Sequence, residues 1–122
     1  MLKLIAKDAQ SEFDTRERCS IVEIFNDAEN PDTSIARCRV RPGIITELHS
    51  LRNTKETYII EAGYALMDDG KSEPFAVGAG DKILISSGYP QRIRNIGECD
   101  LIFLAVCNPR FEPDCYVPLE GN

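Results

Sequence analysis

The sequence predicts an all-β protein, a jelly-roll β-barrel, and three observations lead to this fold class. Several short runs alternate apolar and polar residues with the period of two that is typical of half-buried strands. Clusters of Gly, Pro, Asn and Asp, which favour turns, separate these runs at regular spacing. No stretch keeps a helical period over ten residues. The 122 residues suffice for one domain with its own core, so we predict a single domain over residues 1–122.

The first part of the chain holds three candidate strands before a Pro-Gly break. A short strand over Leu2–Ala6 is one option for the N-terminal segment, which otherwise lacks a clear period. Residues 19–26 are rich in β-branched and aromatic side chains and predict a strand. The turn sequence at 27–32 follows, and residues 33–41 then alternate again. The dipeptide at 42–43 ends this region.

The second part of the chain continues the same pattern with tighter turns. The Asp-Asp-Gly sequence at 68–70 is a hairpin signal. The tail from residue 108 contains three prolines and has no period, so we expect it to run irregularly over the surface. The strands predicted in this part cover residues 64–67, 71–77, 82–85, 91–96 and 101–107.

Composition and charge exclude several classes of function. The net charge is −6 and the sequence pI is about 4.8, whereas nucleic-acid binding needs a clustered basic surface. No run reaches the ~18 apolar residues of a membrane span, and the start of the chain lacks the apolar region of a signal peptide. Five cysteines without a C-x-x-C pair indicate reduced thiols. We therefore expect a cytoplasmic protein that binds neither nucleic acid nor membrane.

Arginines recur with a period of two in two of the predicted strands, so each set lines one strand face. Such a face can be an outer surface in contact with water, a site for an anionic ligand, or a salt-bridged dimer face. The arginines concerned are Arg37, Arg39 and Arg41 in one strand and Arg92 and Arg94 in the other.

The most informative segment runs from Pro42 to Met67 and contains the only histidine of the chain, His49. If the segment is extended, Glu47 shares a face with His49, and Tyr58 shares a face with Glu56. The polar stretch between these two pairs suits a hairpin turn. We therefore expect His49 and Glu56 on adjacent antiparallel strands, with both side chains facing one interior.

The spacing in this segment and in a later one resembles the two sequence motifs of the cupin family. The first motif is matched at Gly43, His49, Glu56 and Gly63. The second motif is matched at Gly80, Gly88 and Asn95. The departures are Leu51 and Gln91, which stand where the family has histidines, and Ser86, which stands where it has proline. The resemblance covers most of the chain and implies a small single-domain cupin.

The resemblance also implies a metal site and a pairing of subunits. Cupins typically hold a divalent transition metal through histidines and a glutamate, and the matching positions here are His49, Glu56 and Gln91. Leu51 cannot act as a ligand, and an amide oxygen is a weaker donor than an imidazole. Imidazole, carboxylate and amide ligands suit Mn, Fe, Ni or Zn. Cupins also commonly form homodimers, so a homodimer is expected.

Three functions are compatible with these residues. In the first, the metal at His49, Glu56 and Gln91 acts on a small oxygen-rich metabolite, giving dioxygenase, isomerase or lyase chemistry. Without metal, His49 as a base and Glu56 or Tyr58 as an acid could still carry out a dehydration or isomerisation. In the second, the same pocket holds a small-molecule ligand without catalysis.

The third function is that of a structural barrel without a working pocket. Its interior would be filled by apolar side chains, and the candidates are Leu51, Ile60, Ile93 and Phe103. Glu47 has two readings as well, namely a second acid or base in the pocket or a charge at its rim.

Overall fold

The computed structural model describes residues 1–6 and 11–121. The predicted domain of residues 1–122 therefore includes five positions, 7–10 and 122, that lie outside the described residues. The described chain folds almost entirely into β-strands, with one short 3₁₀ turn at Pro113–Cys115. The strands are β1 (Phe13–Asp14), β2 (Ser20–Phe25), β3 (Ser34–Val40), β4 (His49–Leu51), β5 (Lys55–Ala62), β6 (Tyr64–Asp68), β7 (Phe75–Gly78), β8 (Lys82–Ile85), β9 (Arg92–Asn95), β10 (Leu101–Asn108) and β11 (Tyr116–Pro118).

The strands form three antiparallel sheets that together make a jelly-roll barrel. The largest sheet has six strands in the order β1-β2-β3-β10-β5-β8, the second has the order β7-β6-β9, and β11 pairs with β4. Isolated bridges from Ile45 to Arg94 and from His49 to Gln91 connect the β4 region to β9 and its approach. The all-β prediction is confirmed.

One end of the barrel interior is packed with large apolar side chains. Inward positions of β3, β5 and β10 place Val40, Ile60 and Leu101 together, and Ile93 joins them from β9. Each of these four side chains is at most 1% exposed. Their burial is the main source of stability at this end, because each removes a full aliphatic side chain from water.

At the other end of the same strands, the inward positions carry small or polar side chains instead. Ala105 lies opposite Ala36 and Cys107 lies opposite Ser34 in the β10–β3 register. On the other flank of β10, Ala105 lies opposite Tyr58 and Cys107 lies opposite Glu56. These side chains do not meet across the barrel, so the interior at this end is hollow.

Two of the motif positions have a structural role at the packed end. Gly63 has a φ of +97°, and a Cβ there would lie 3.0 Å from the Leu101 Cα, so only glycine fits without strain. The Asn95 amide donates hydrogen bonds to the carbonyl oxygens of Val40 and Cys99, and its own oxygen accepts one from Gly97 N–H. Both residues fix tight connections between strands.

Apart from the short unpredicted β1 and shifts of about one residue at other strand ends, the structure differs from the sequence prediction in three segments. Residues Leu2–Ala6 form no strand, and the strand predicted at 71–77 is the shorter β7. The tail predicted to be irregular contains β11, which pairs with β4 far away in sequence. Such a pairing leaves no local period, because three residues with one proline are too few to show alternation.

The arginines on the outer face of β3 form ion pairs with nearby carboxylates. Arg37 bonds Glu61 at 3.3 Å, and Arg39 bonds Asp100 at 3.1 Å and also pairs with Glu12. These contacts match the reading of a charged surface in contact with water.

Within residues 1–6 and 11–121, no helix is long and apolar enough to cross a membrane.

Candidate functional site

The hollow end of the barrel encloses a cavity of about 520 Å³. Its walls come from β1, β2, β3, β4, β5, β10 and β11 and from the segment between β1 and β2. Most of the wall is apolar. Two of the four candidate filling residues, Leu51 and Phe103, lie on this wall and leave the space open. The other two, Ile60 and Ile93, belong to the core at the packed end. The ionisable or hydroxyl-bearing residues on the wall include Thr15, Arg16, Glu17, Glu23, His49, Glu56, Tyr58 and Tyr116.

His49 is held rigidly at the start of β4. Its backbone exchanges two hydrogen bonds with Gln91, of 3.1 and 2.8 Å. Its ring Nδ1 lies 2.8 Å from the carbonyl oxygen of Glu47, and because a carbonyl only accepts, Nδ1 carries the proton. The ring stacks on Tyr116 with 4.8 Å between centroids. The second nitrogen, Nε2, lies 3.5 Å from Glu17 Oε1.

Glu47 fixes the surroundings of His49 and does not line the cavity itself. Arg16 donates two hydrogen bonds of 3.1 Å to its carboxylate, and the Tyr116 hydroxyl donates one of 2.5 Å. Burial opposes ionisation of Glu47, but the bonds from Tyr116 and Arg16 outweigh it, so its pKa is lowered. Glu47 therefore behaves as a paired charge at the rim, the second of its two predicted readings.

Glu56 projects from β5 into the hollow end and has weak compensation for its charge. It accepts a hydrogen bond of 2.7 Å from Gln91 Nε2, and the Cys107 thiol donates one at 3.7 Å. Burial raises its pKa to about 7, opposed by the Gln91 bond and reinforced by the charge of Glu17. Both protonation states of Glu56 are therefore populated near neutral pH.

Gln91 lies behind Glu56 and is not one of the residues on the cavity wall. Its Nε2 faces Glu56, and its Oε1 is buried without a hydrogen-bond partner. Within the described part of the chain, no three His, Cys, Asp or Glu side chains are arranged to hold a metal ion. As placed, His49, Glu56 and Gln91 do not fit a three-ligand metal centre. The Gln91 amide turns its NH₂ group toward Glu56, and this group donates hydrogen bonds and does not bind a metal ion. The metal site stays a prediction.

Tyr58 lies on the cavity wall two residues after Glu56, as the alternation of β5 requires. It is buried and stacks on Phe103 with 4.3 Å between ring centroids. Burial, reinforced by the charge of Glu56, raises its pKa well above the ordinary tyrosine value. Tyr58 therefore keeps its proton across the physiological range, so it can donate a hydrogen bond to a ligand but does not carry a negative charge.

The structure agrees with the predicted shared interior of His49 and Glu56, but the strands that carry these two residues do not pair with each other as predicted. Both side chains face the cavity. However, β4 pairs with β11, whereas β5 pairs with β10 and β8. The two residues approach each other from different sheets, because the short turn at 52–54 lets the chain cross between them.

Sequence reasoning missed Glu17, which reaches the cavity from the segment between β1 and β2. Its carbonyl accepts a hydrogen bond of 3.0 Å from Glu47 N–H. The next residue, Arg18, has a φ of 71° and donates to the Ile45 carbonyl at 2.9 Å. Nothing in the spacing of residues 1–18 signals this position, because it depends on contacts with strands about thirty residues away.

Comparisons with known proteins place the chain among the cupins by fold. No protein-family model matches it. Among curated proteins, the oxalate-binding protein of Thermotoga maritima is 39% identical over 72 residues, 58% of this chain. The chain is matched over only 58% of the length of that curated relative.

Several solved structures share the architecture at low identity. A predicted oxalate decarboxylase of Thermotoga maritima has a TM-score of 0.75 at 23% identity, covering 88% of this chain and 99% of that one. The nucleoside dehydratase Pac13 of Streptomyces has a TM-score of 0.76 at 14% identity, covering 91% and 85%. The cupin domain of Schizosaccharomyces pombe Cnp3 has 0.71 at 11%, covering 83% and 69%. The chain folds as a small cupin domain.

Proposed function

We propose that the protein binds a small oxygen-rich molecule in the cavity and acts on it by acid–base chemistry of the lyase or isomerase type. The observation that carries this proposal is the convergence of His49 and Glu56 on one open, otherwise largely apolar cavity of about 520 Å³. Two groups able to transfer protons at neighbouring points of a substrate are the minimum for eliminating water or shifting a double bond.

From their surroundings we propose different roles for the two groups. His49 keeps its Nδ1 proton on the Glu47 carbonyl, which leaves Nε2 as the atom that accepts a proton from substrate. Glu56, with a pKa of about 7, is protonated often enough at neutral pH to donate to a leaving hydroxyl. Tyr58, which stays protonated, would stabilise charge that develops on a substrate oxygen.

The proteins that resemble this chain support the binding of a small molecule in such a barrel. One curated relative is named for oxalate binding, and one structural neighbour is a nucleoside dehydratase. At 14% identity the dehydratase shares only the fold, so it supports the capacity of such a barrel for elimination chemistry and not a nucleoside substrate here.

A divalent transition metal, Mn, Fe, Ni or Zn, held by His49, Glu56 and Gln91 is the second candidate. The observation that favours it is the buried Oε1 of Gln91, an acceptor without a partner next to Glu56. Such a metal would supply Lewis-acid or dioxygen chemistry, including that of a dioxygenase. The amide would have to turn its oxygen towards the cavity for this site to form.

The first experiment compares the untagged protein with His49→Asn and Glu56→Gln in a pool of small metabolites. Mass spectrometry follows each metabolite over time, with and without a chelator. We expect one compound to lose water or to isomerise at constant mass, with the change absent in both variants. Glu61→Gln is the matched control, because it removes an exposed carboxylate on the outer face. An unchanged metabolite pool would contradict the enzyme proposal.

The second experiment measures metal in the protein purified without added metal or chelator, and again in His49→Ala. Near-stoichiometric metal that disappears in the variant would support the second candidate. A protein that contains none, and that takes up no Mn, Fe, Ni or Zn, would remove it and leave the metal-free chemistry.

Further expectations from the sequence are proposed alongside this function. We expect a single domain over residues 1–122 and a homodimer, which size-exclusion chromatography with light scattering would check. We also expect a cytoplasmic protein without affinity for nucleic acid or membrane. The free state of all five cysteines is in keeping with a reducing compartment.

A further inference from the structure

We infer that the ligand of this cavity carries a positive charge, as a protonated amine, and that the cavity rejects small dicarboxylates. The inference rests on the proposed function in placing the ligand beside His49 and Glu56. It goes further by naming the charge of the molecule that the cavity takes. The argument depends on which charges on the wall are already neutralised.

The carboxylate, imidazole and guanidinium side chains on the wall are mostly acidic. They are Arg16, Glu17, Glu23, His49 and Glu56. The arginine is already used, because both of its hydrogen bonds go to the rim carboxylate of Glu47. Of the three wall carboxylates, none forms an ion pair with a lysine or arginine among the described residues, and only Glu17 faces the imidazole.

A neighbouring basic residue does not change this balance. Arg110 lies in a shallow pocket that shares Glu23 with the cavity mouth. Its guanidinium donates to Asn26 Oδ1 and to the carboxylate of Glu112, both at 2.9 Å. Even with His49 doubly protonated, Glu17 and Glu23 alone outnumber the uncommitted positive charges on the wall among the described residues. An incoming anion would therefore meet like charge in a low-dielectric space.

The rest of the wall suits an organic cation. The rings of Tyr58, Phe103 and Tyr116 all line the cavity and can pack against the carbon chain of a ligand. The Tyr116 ring already has a cation at its face, since the Arg16 guanidinium carbon lies 5.8 Å from its centroid. An ammonium group reaching Glu17 or Glu23 would gain charge-assisted hydrogen bonds that a neutral hydroxyl group cannot match.

The test uses three-carbon probes that differ in charge and hardly in size. They are 3-aminopropan-1-ol, propane-1,3-diol and 3-hydroxypropanoate, with oxalate as a fourth. Each is titrated into ¹⁵N-labelled full-length protein without a histidine tag, in the presence of a chelator. Binding is read from cavity amide signals and from the ring signals of His49, which are unambiguous because the chain has one histidine.

We expect the aminoalcohol to bind at least about tenfold more tightly than the diol, a ratio typical of one close charge pair. The hydroxyacid and oxalate should cause no saturable shift at the cavity. In Glu17→Gln and in Glu23→Gln the preference for the amine should shrink, while the diol affinity stays. The control Glu61→Gln removes the same charge from the outer face and should leave all affinities unchanged.

Several results would overturn the inference. Binding of oxalate or the hydroxyacid as tight as that of the aminoalcohol would contradict it. So would an amine preference that is intact in both Glu17→Gln and Glu23→Gln. If the diol binds at the cavity and the amine has no advantage, the charge inference fails and the proposed pocket stands. If none of the probes binds, both are overturned.

Discussion

The packed and hollow ends of the barrel are built on the same strands but have opposite interiors. Along β3 the inward residues change from Ser34, Ala36 and Cys38 to Val40, and along β10 from Cys107 and Ala105 to Leu101. The backbone register is continuous between β3 and β10. Across this pair the change from packed to hollow follows the size of the inward side chains. The neighbouring pairings β10–β5 and β2–β3 each contain one irregularity, at Ile102/Phe103 and at Glu23/Phe25.

The two ends also differ in how their buried polar groups are satisfied. At the packed end, the Asn95 side chain makes three hydrogen bonds that use its oxygen and its nitrogen. At the hollow end, Glu56 has one short hydrogen bond and Gln91 Oε1 has none. Polar groups left without full compensation cost stability, and such groups lie at the hollow end, where we propose the ligand site.

The largest effect on stability should come from removing buried side-chain atoms at the packed end. Ile60→Ala deletes buried carbons among Val40, Leu101 and Phe103, and we expect it to lower the free energy of unfolding by about 2–5 kcal/mol. Urea denaturation would measure this loss. A loss well under 1 kcal/mol would mean that the packed end is less tightly filled than its burial indicates.

The next effect concerns Glu56 and depends on pH. Its pKa rises from 4.5 in the unfolded chain to about 7 in the fold, so the folded state holds more protons between these values. Its contribution is fully favourable below pH 4.5 and is lost as pH rises to about 7, a change of about 3 kcal/mol.

Glu56→Gln in chelator-treated protein should remove this slope and be more stable than the wild type at pH 8. Unfolding free energies at pH 5 and pH 8 would measure the difference between the two proteins. If the wild type is equally stable at both pH values, the burial of Glu56 without full compensation is contradicted. The difference between the two ends in how buried polar groups are satisfied would then not hold.

A smaller effect should follow from the rim of the hollow end. Tyr116 and Tyr89 each donate a hydrogen bond of 2.5 Å to a carboxylate, Glu47 and Asp69 respectively. Tyr116→Phe should cost about 1.5 kcal/mol, because its partner is buried and charged. Tyr89→Phe is the matched control in an exposed loop and should leave the unfolding midpoint unchanged. Equal effects in the two variants would contradict a stabilising role of the buried Tyr116–Glu47 hydrogen bond at the rim.

The smallest effect on stability should come from filling the cavity. Ala105→Leu places new carbons in empty space, so we expect the unfolding free energy to change by less than about 1 kcal/mol. Binding of the aminoalcohol probe should be lost, because the new side chain occupies the ligand volume. A strongly destabilised variant would show that the hollow end is closed in solution.

The sequence by itself determined the class of fold and the central pair of the candidate site. The alternation around His49 and Glu56, and the turns between strands, depend on neighbours in the chain, which is why a period of two reveals them. Gly63 and Asn95 were identified for the same reason, since their motif spacing reflects a tight connection between nearby strands.

Only the tertiary structure decided which residues complete the site and whether the interior is open. Glu17 and Tyr116 reach His49 from opposite ends of the chain, so no local pattern could connect them. Likewise, Gln91 matches a ligand position by spacing, yet its amide is turned to Glu56 by a contact that sequence does not show. The cavity exists because small side chains from separate strands face one another, and that volume is a property of the assembled barrel.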